Sequence, residues 1–202
     1  MTKIFKRHLQ TEWWGYLLIA GLACALWLLA FQVKFTPPRS RTFSVVFAGE
    51  GLQTESLRSA LEDRLPSVTA QPIEKVNVAA VDLQSGYQDQ TLYSLADQAD
   101  LIIVQEDVIS EDKIGFYFDS LKDPEGIVSY TAGAEYYKIG GKIVGVKLYD
   151  GSAQNNFSRY YGGEKACWVF FGYKSECLNG VNGTGKAGDD AGLQALAWLL
   201  EV

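Results

Sequence analysis

The sequence contains few of the residues that catalytic and metal sites require. Its single histidine, His8, lies near the N-terminus of a 202-residue chain. A Ser-His-Asp or Cys-His catalytic arrangement is therefore excluded from the rest of the chain. A zinc site is not expected either, since zinc takes about four protein ligands, mostly Cys and His. We predict no catalytic residue, no metal site and no cofactor, and a function other than catalysis.

Cysteine is also scarce, with three in the chain. Cys24 lies in a long apolar run, which leaves Cys167 and Cys177 as the pair available to a folded domain. In an oxidising compartment these two would form a disulfide that closes a short loop, and in a reducing one they would be free thiols. We take the disulfide as the prediction, with free thiols as the alternative.

An excess of basic residues is missing as well. Residues 42–202 contain 12 Lys and Arg against 23 Asp and Glu, a net charge of −11. Binding to a phosphate backbone requires clustered Lys and Arg. Nucleic acid is therefore not expected as a partner.

What the sequence does contain is an uncharged apolar run at residues 13–33, WWGYLLIAGLACALWLLAFQV. As a helix this run is about 31 Å long, which matches the hydrocarbon core of a bilayer. Trp13, Trp14 and Tyr16 suit a membrane interface, where amphipathic rings are favoured. We predict a single transmembrane helix at 13–33, preceded by a tail at 1–12.

Three alternatives exist for this run. A cleaved signal peptide has a shorter apolar core followed by a small-residue cleavage site, whereas Gln32-Val33-Lys34 follows here. A lipoprotein signal would need a polar tether after Cys24, but the apolar run continues. A buried core helix would show a polar face at helical spacing, and this run has none.

The charges around the run suggest its orientation. Lys3, Lys6, Arg7 and the amino terminus precede it, and Lys34, Arg39 and Arg41 follow it. The positive-inside rule thus leans only slightly towards a cytoplasmic N-terminus. A short tail followed by one anchor and a large domain favours the same orientation. We expect a single-pass protein of the cell membrane, with a proline-containing linker at 34–41 and an extracytoplasmic domain at 42–202.

The pattern after residue 42 predicts an α/β domain. Runs of β-branched and aromatic residues predict strands at 42–48, 76–81, 99–104, 114–121, 135–139, 143–148 and 166–172. Amphipathic spacing predicts helices at 54–65, ended by Pro66, at 89–97 and at 191–200, the last after a glycine-rich loop at 179–190. The β-α-β-α-β start predicts parallel strands, and Gly140-Gly141 predicts an antiparallel hairpin. We therefore expect one three-layer α/β domain with a mixed sheet.

Several phrases carry a resemblance to a known family. The β-α-β-α-β start, followed by ADLIIVQEDVI, FYFDSL and the hairpin YYKIGGKIVGVKLYDG, resembles the first lobe of type II extracellular solute-binding proteins of ABC importers. The likeness covers about residues 42–202. The layout is also similar to small single-span proteins of Gram-positive bacteria that keep such a lobe.

The resemblance implies a membrane-anchored extracytoplasmic binding module, associated with transport and without catalysis. An ABC transporter or another membrane complex is then the expected partner, and a small solute or peptide the expected ligand. That family closes two lobes around its ligand, whereas residues 42–202 correspond to one. The alternative is therefore an accessory or scaffolding subunit whose lobe docks on a membrane complex.

Candidate binding residues follow the strands. Ligands of open α/β sheets bind outside the carboxyl ends of the strands, where this sequence has Glu50, Gln105 and Glu106. Tyr149 and Asp150 follow the hairpin and provide a ring and a carboxylate for a sugar or peptide. The alternative is that the polar residues belong to ordinary loops and turns and that the ring packs at the sheet edge.

Overall fold

The chain forms two compact units, Met1–Pro37 and Pro38–Val202. The computed structural model describes residues 3–35, 37–68, 73–82, 88–109, 131, 133–172, 175, 177 and 191–202. The strand predicted at 114–121 and the glycine-rich loop predicted at 179–190 lie outside the described residues.

The first unit is one long helix, α1, at Lys3–Phe35. Its segment Trp13–Phe31 is long and apolar enough to cross a membrane, and none of it is buried. This exposure argues against a buried core helix, which would cover its apolar side chains. By length and composition the segment is compatible with a transmembrane helix or a signal anchor. The helix also includes most of the predicted N-terminal tail.

The second unit is built on one six-stranded mixed sheet. Its strands are β1 Thr42–Ala48, β2 Lys75–Val81, β3 Leu101–Gln105, β4 Tyr136–Ile139, β5 Lys142–Tyr149 and β6 Cys167–Phe171. The α-helices among its described residues are α2 Thr54–Val68, α3 Gln88–Ala96 and α4 Ala191–Leu200. The strand order is β2-β1-β3-β6-β5-β4. The first three strands are parallel, and β6, β5 and β4 each pair antiparallel to their neighbour. This confirms a mixed α/β fold.

Helices cover both faces of the sheet because β2 and β3 lie on opposite sides of β1. Right-handed crossovers to opposite sides of one strand place their helices on opposite faces. The buried residues accordingly form two clusters: α2 and α4 pack with Phe43, Phe47 and Val169, and α3 packs with Val46, Ile102 and Phe170. The edge where β1, β2 and β3 end is called the carboxyl edge below, and the opposite one the amino edge.

The described elements of the second unit match the expected ones to within a few residues, but Pro66 does not end α2. The sequence predicts that Pro66 ends α2, whereas the helix continues to Val68 with Pro66 in its last turn. A proline removes one hydrogen bond to the carbonyl four residues earlier. So close to the end of the helix, this loss still permits one more partial turn.

The face of the sheet that α3 covers is tightly packed around Gly145 in β5. It pairs with Phe170 of β6, and a Cβ at Gly145 would lie 2.6 Å from Phe170 Cε1 and 2.9 Å from Val169 O. The ring of Tyr137 meets that of Phe170 edge to face, with centroids 5.8 Å apart. The absent side chain at Gly145 therefore makes room for the Phe170 ring.

We predict that Gly145→Ala lowers the free energy of unfolding by about 1–3 kcal/mol, because the added methyl overpacks this face. Urea titration of the intact chain in detergent micelles measures the change. The matched control is Gly162→Ala, whose Cβ would meet nothing nearer than Gly51 O at 3.8 Å. Equal effects of the two substitutions would contradict the packing argument.

Candidate functional site

The strand order defines where a ligand would be expected. Chain connections leave β1 towards β2 on one side and return to β3 on the other, so the carboxyl ends of β1 and β3 form a topological switch point. Crevices at such points hold the ligands of open α/β sheets. Three predicted binding residues meet here: Glu50 follows β1, and Gln105 and Glu106 stand at the end of β3.

Gln105 is buried, and its carboxamide bonds to the chain itself. Nε2 donates to Glu50 O at 2.9 Å and to the Tyr161 hydroxyl at 2.7 Å. Oε1 accepts from the backbone N–H of Glu50 at 3.2 Å. One amide thus holds both backbone polar groups of Glu50, much as a neighbouring strand would. The side chain predicted to bind a ligand acts as a clamp on the loop after β1.

The clamp explains the glycines on either side of Glu50. Gly49 has φ 152° and Gly51 has φ 90°, values that favour glycine. A Cβ at Gly49 would overlap the carboxamide of Gln105, and one at Gly51 would lie 3.2 Å from Gly163 N. The sequence predicts that these glycines permit a close approach. In the structure, the groups that approach belong to the same chain: the Gln105 side chain at Gly49 and the Gly163 backbone at Gly51.

The connection between β5 and β6, residues 150–166, crosses the switch point. Leu52 and Tyr161 form an antiparallel bridge. The flanking backbone bonds run from Gln53 N to Tyr160 O at 2.8 Å, from Gly162 N to Gly51 O at 2.9 Å and from Glu106 N to Ala166 O at 2.9 Å. The connection therefore ties down the loops after both β1 and β3.

Tyr161 fills the space beneath this connection. Its ring stacks on Phe157 with centroids 5.3 Å apart and meets Phe47 at 5.7 Å. Burial raises the pKa of Tyr161 to about 12, so its hydroxyl stays protonated and neutral near pH 7. The density of aromatic residues in the sequence suggests that Tyr161 could belong to a stacking platform for a sugar or peptide, whereas in the structure its ring is buried.

The exposed rim of the switch point is acidic. Glu50 and Glu106 are exposed, and Asp107 pairs with Lys165 at 2.5 Å. The hydrogen bond with Asp107 raises the pKa of Lys165. Of the predicted binding residues, Glu50 and Glu106 are thus the two whose carboxylates face solvent next to the switch point.

Tyr149 and Asp150 lie on the same edge, two strands away from β3. Tyr149 is half-buried and meets Tyr161 edge to face, with ring centroids 5.4 Å apart. Asp150 Oδ1 accepts hydrogen bonds from Ser152 N at 2.8 Å and Ala153 N at 2.7 Å. The Ser152 hydroxyl adds a third bond at 3.1 Å. These bonds lower the pKa of Asp150 and give its carboxylate a role in the turn.

Cys167 and Cys177 are both free thiols in the structure. Cys167 pairs with Gln105 at the carboxyl edge, whereas Cys177 Sγ lies 3.7 Å from Thr42 O, at the amino edge. A disulfide requires Cα atoms within about 7 Å, and the length of the sheet separates these two. The expected disulfide is corrected accordingly: the structure does not contain it.

The Cys167 thiol is not poised for chemistry. It is buried, and burial raises its pKa to about 12, so it is protonated at neutral pH, whereas the thiolate is the nucleophile. Among the residues that the structure describes, no group of three or more His, Cys, Asp or Glu side chains could hold a metal ion.

A second buried polar cluster, at the amino edge, was missed from the sequence. Asp100 is 3% exposed; its Oδ2 accepts from Ser44 N at 2.7 Å, and its Oδ1 accepts from the Ser175 hydroxyl. Burial raises the pKa of Asp100, against the opposing effect of these bonds. An acidic residue directly before the apolar run LIIV was the available signal. The contacts tie β1, β3 and the segment after β6 together.

Comparison of the chain with protein-family models, with curated proteins and with solved structures finds no match. The resemblance to type II solute-binding proteins therefore stays a prediction.

We predict that Gln105→Leu lowers the free energy of unfolding by about 1–3 kcal/mol, since Glu50 loses both backbone partners and the Tyr161 hydroxyl loses a donor. A double-mutant cycle with Tyr161→Phe, measured by urea titration, should give a coupling of about 0.5–1.5 kcal/mol. Glu106→Gln on the exposed rim is the control and should change stability by less than about 0.5 kcal/mol. Strict additivity of the Gln105 and Tyr161 substitutions would refute the clamp.

The two shifted aspartates predict opposite pH dependences. The pKa of Asp100 is raised on folding, so its contribution to stability is fully present below its unfolded pKa of about 3.9 and is lost as the pH rises through the folded pKa. The pKa of Asp150 is lowered, so its contribution is present at neutral pH and is lost as the pH falls through the folded pKa.

The measurement is the free energy of unfolding of the parent chain minus that of Asp100→Asn, and likewise for Asp150→Asn, at a series of pH values. We expect the first difference to fall as the pH rises from about 4 and the second to fall as the pH is lowered. Taking differences cancels the titration of all other groups. Slopes of the same sign for the two variants would contradict the assignment.

Proposed function

We propose that this chain is a single-pass membrane protein that displays an α/β domain outside the cell membrane, where the domain docks on a membrane protein complex as an accessory subunit. Support for the anchor comes from the exposed apolar segment Trp13–Phe31. Support for the orientation comes from Lys3, Lys6 and Arg7 before that segment.

The observation that carries the docking function is the filled switch point. The crevice expected to receive a small ligand contains the Gln105 carboxamide and the Tyr161 ring, both buried, and the 150–166 connection crosses it. A solute would have to displace part of the domain's own structure. A module that acts through its outer surface requires no such opening.

A second candidate is the small-solute or peptide binder that the resemblance implies. The observation in its favour is that Glu50 and Glu106 present exposed carboxylates beside the switch point, where they could accept hydrogen bonds from hydroxyls or amines. A weakly bound ligand on this open rim would fit such a function without entry into the crevice.

We expect no rise in melting temperature when the intact chain in detergent micelles is heated with sugars, amino acids or short peptides, because a ligand that binds only the folded state must raise it. In native membranes, chemical crosslinking should instead yield a discrete larger species. That species should persist when Trp13–Phe31 is replaced by an unrelated apolar helix.

A melting-temperature rise that disappears in Glu50→Gln or Glu106→Gln would favour the solute binder over the docking subunit. Loss of the crosslinked species on replacement of the helix would assign the contact to the membrane segment rather than to the domain. Release of the intact chain from membranes by alkaline carbonate would contradict the anchor.

A further inference from the structure

The charged residues of the domain are sorted between the two edges of its sheet. At the carboxyl edge an acidic residue stands next to the end of every strand: Asp82, Glu50, Glu106, Glu164, Asp150 and Glu135, in the sheet order β2-β1-β3-β6-β5-β4. All six are exposed. Lys165 and Lys147 at this edge are paired with Asp107 and Glu135, and Arg159 in the 150–166 connection is exposed.

The amino edge has the opposite character. Its exposed bases are Arg39 and Arg41 before β1, Lys75 at the start of β2, Lys142 at the start of β5 and Lys138 near the end of β4. Among the residues that the structure describes, the acidic ones at this edge are Glu74, which pairs with Arg41 at 2.5 Å, Asp97, and the buried Asp100. The three lysines make no ion pair with any residue in the described part of the chain.

The two edges act on their surroundings independently. Glu50 lies nine positions after Arg41 along and just beyond β1, which corresponds to about 30 Å of extended chain. The Debye length at physiological ionic strength is about 8 Å. The acidic edge therefore does not cancel the field of the basic edge, although the domain as a whole is acidic.

The basic edge is also the edge at which the chain enters the domain. The turn Arg39–Arg41 forms the end of the linker and leads into β1. A surface with negative potential attracts a basic edge and repels an acidic one, and anionic lipids give membranes such a potential. Attraction of the basic edge and repulsion of the acidic edge thus both favour an orientation in which the basic edge faces anionic headgroups.

We propose that the amino edge of the sheet binds the anionic phospholipid headgroups of the membrane that α1 spans, through Lys75, Lys138 and Lys142 together with Arg39 and Arg41. The acidic carboxyl edge then points away from the membrane. This inference rests on the anchored topology proposed above. It adds the lipid class and the orientation of the domain.

The test is lysine footprinting of the intact chain in nanodiscs of phosphatidylcholine, with and without phosphatidylglycerol. Acetylation by an N-hydroxysuccinimide ester is read at each lysine by mass spectrometry. We expect Lys75, Lys138 and Lys142 to react about threefold more slowly with phosphatidylglycerol present, and high salt to remove the difference because it screens exposed charges. Lys165 at the opposite edge is the internal reference and should not change.

Two variants strengthen the test. Lys138→Gln combined with Lys142→Gln should abolish the protection of Lys75, because the edge then loses much of its charge. Lys165→Gln removes one charge from the other edge and should leave that protection intact. Neither variant touches a buried residue, so both should fold.

Equal reactivity in the two lipids would overturn the proposal, as would equal slowing of Lys165. Protection in phosphatidylcholine alone that grows with protein concentration would assign the edge to a second copy of the chain and would also overturn it. Resistance to carbonate extraction is measured on the same membranes. A protein that resists extraction but shows no protection keeps its anchor and loses only the lipid contact.

Discussion

The hydrogen bonds of one side chain, Gln105, determine the structure of the domain's carboxyl edge. The ladder between β1 and β3 ends at the pair Ala48 and Val104, and Glu50 lies beyond it. The Gln105 carboxamide supplies both a donor and an acceptor to Glu50, and its second N–H reaches Tyr161. Gly49, the Tyr161 ring and the 150–166 connection all take their positions from this amide. A buried polar group of this kind is stable only when its partners are present, so these parts of the site depend on one another.

Opening this edge for a ligand would be costly. Separating the connection from the switch point breaks the hydrogen bond between Gln105 and Tyr161 and three backbone hydrogen bonds, at about 0.5–1.5 kcal/mol each, and exposes the Tyr161 ring, at about 1.5–3 kcal/mol. A total on the order of 5 kcal/mol would weaken the apparent affinity of any entering solute by on the order of 10³-fold. A solute that binds an open form with micromolar affinity would then bind this domain only at millimolar concentrations. This cost favours a role in which the outer surface makes the contacts.

Much of the fold could be predicted from the sequence because its signals are local. The run at 42–48 and the apolar LIIV run indicate buried strands, and the β-α-β-α-β alternation brings Glu50 and Gln105 to one edge. The arrival of Tyr161 could not be predicted, since it depends on β6 returning beside β3 across more than fifty residues. The missing disulfide, in contrast, could have been anticipated. Cys167 stands at the start of the strand predicted at 166–172 and Cys177 follows its end. A five-residue strand already spans about 17 Å, more than a disulfide can bridge.

The separation of charge follows from the same topology. In a parallel unit every strand begins at one edge and ends at the other, so a preference for bases before strands and acids after them gives the domain two edges of opposite charge. The antiparallel strands keep this sorting only because their residues are placed in reverse: Glu135 precedes β4, Glu164 precedes β6, and Lys138 lies near the end of β4. A net negative charge is sufficient for solubility, and it does not require acidic residues to precede the antiparallel strands. The same sorting of charge in strands of opposite direction therefore supports the orientation proposed for the domain.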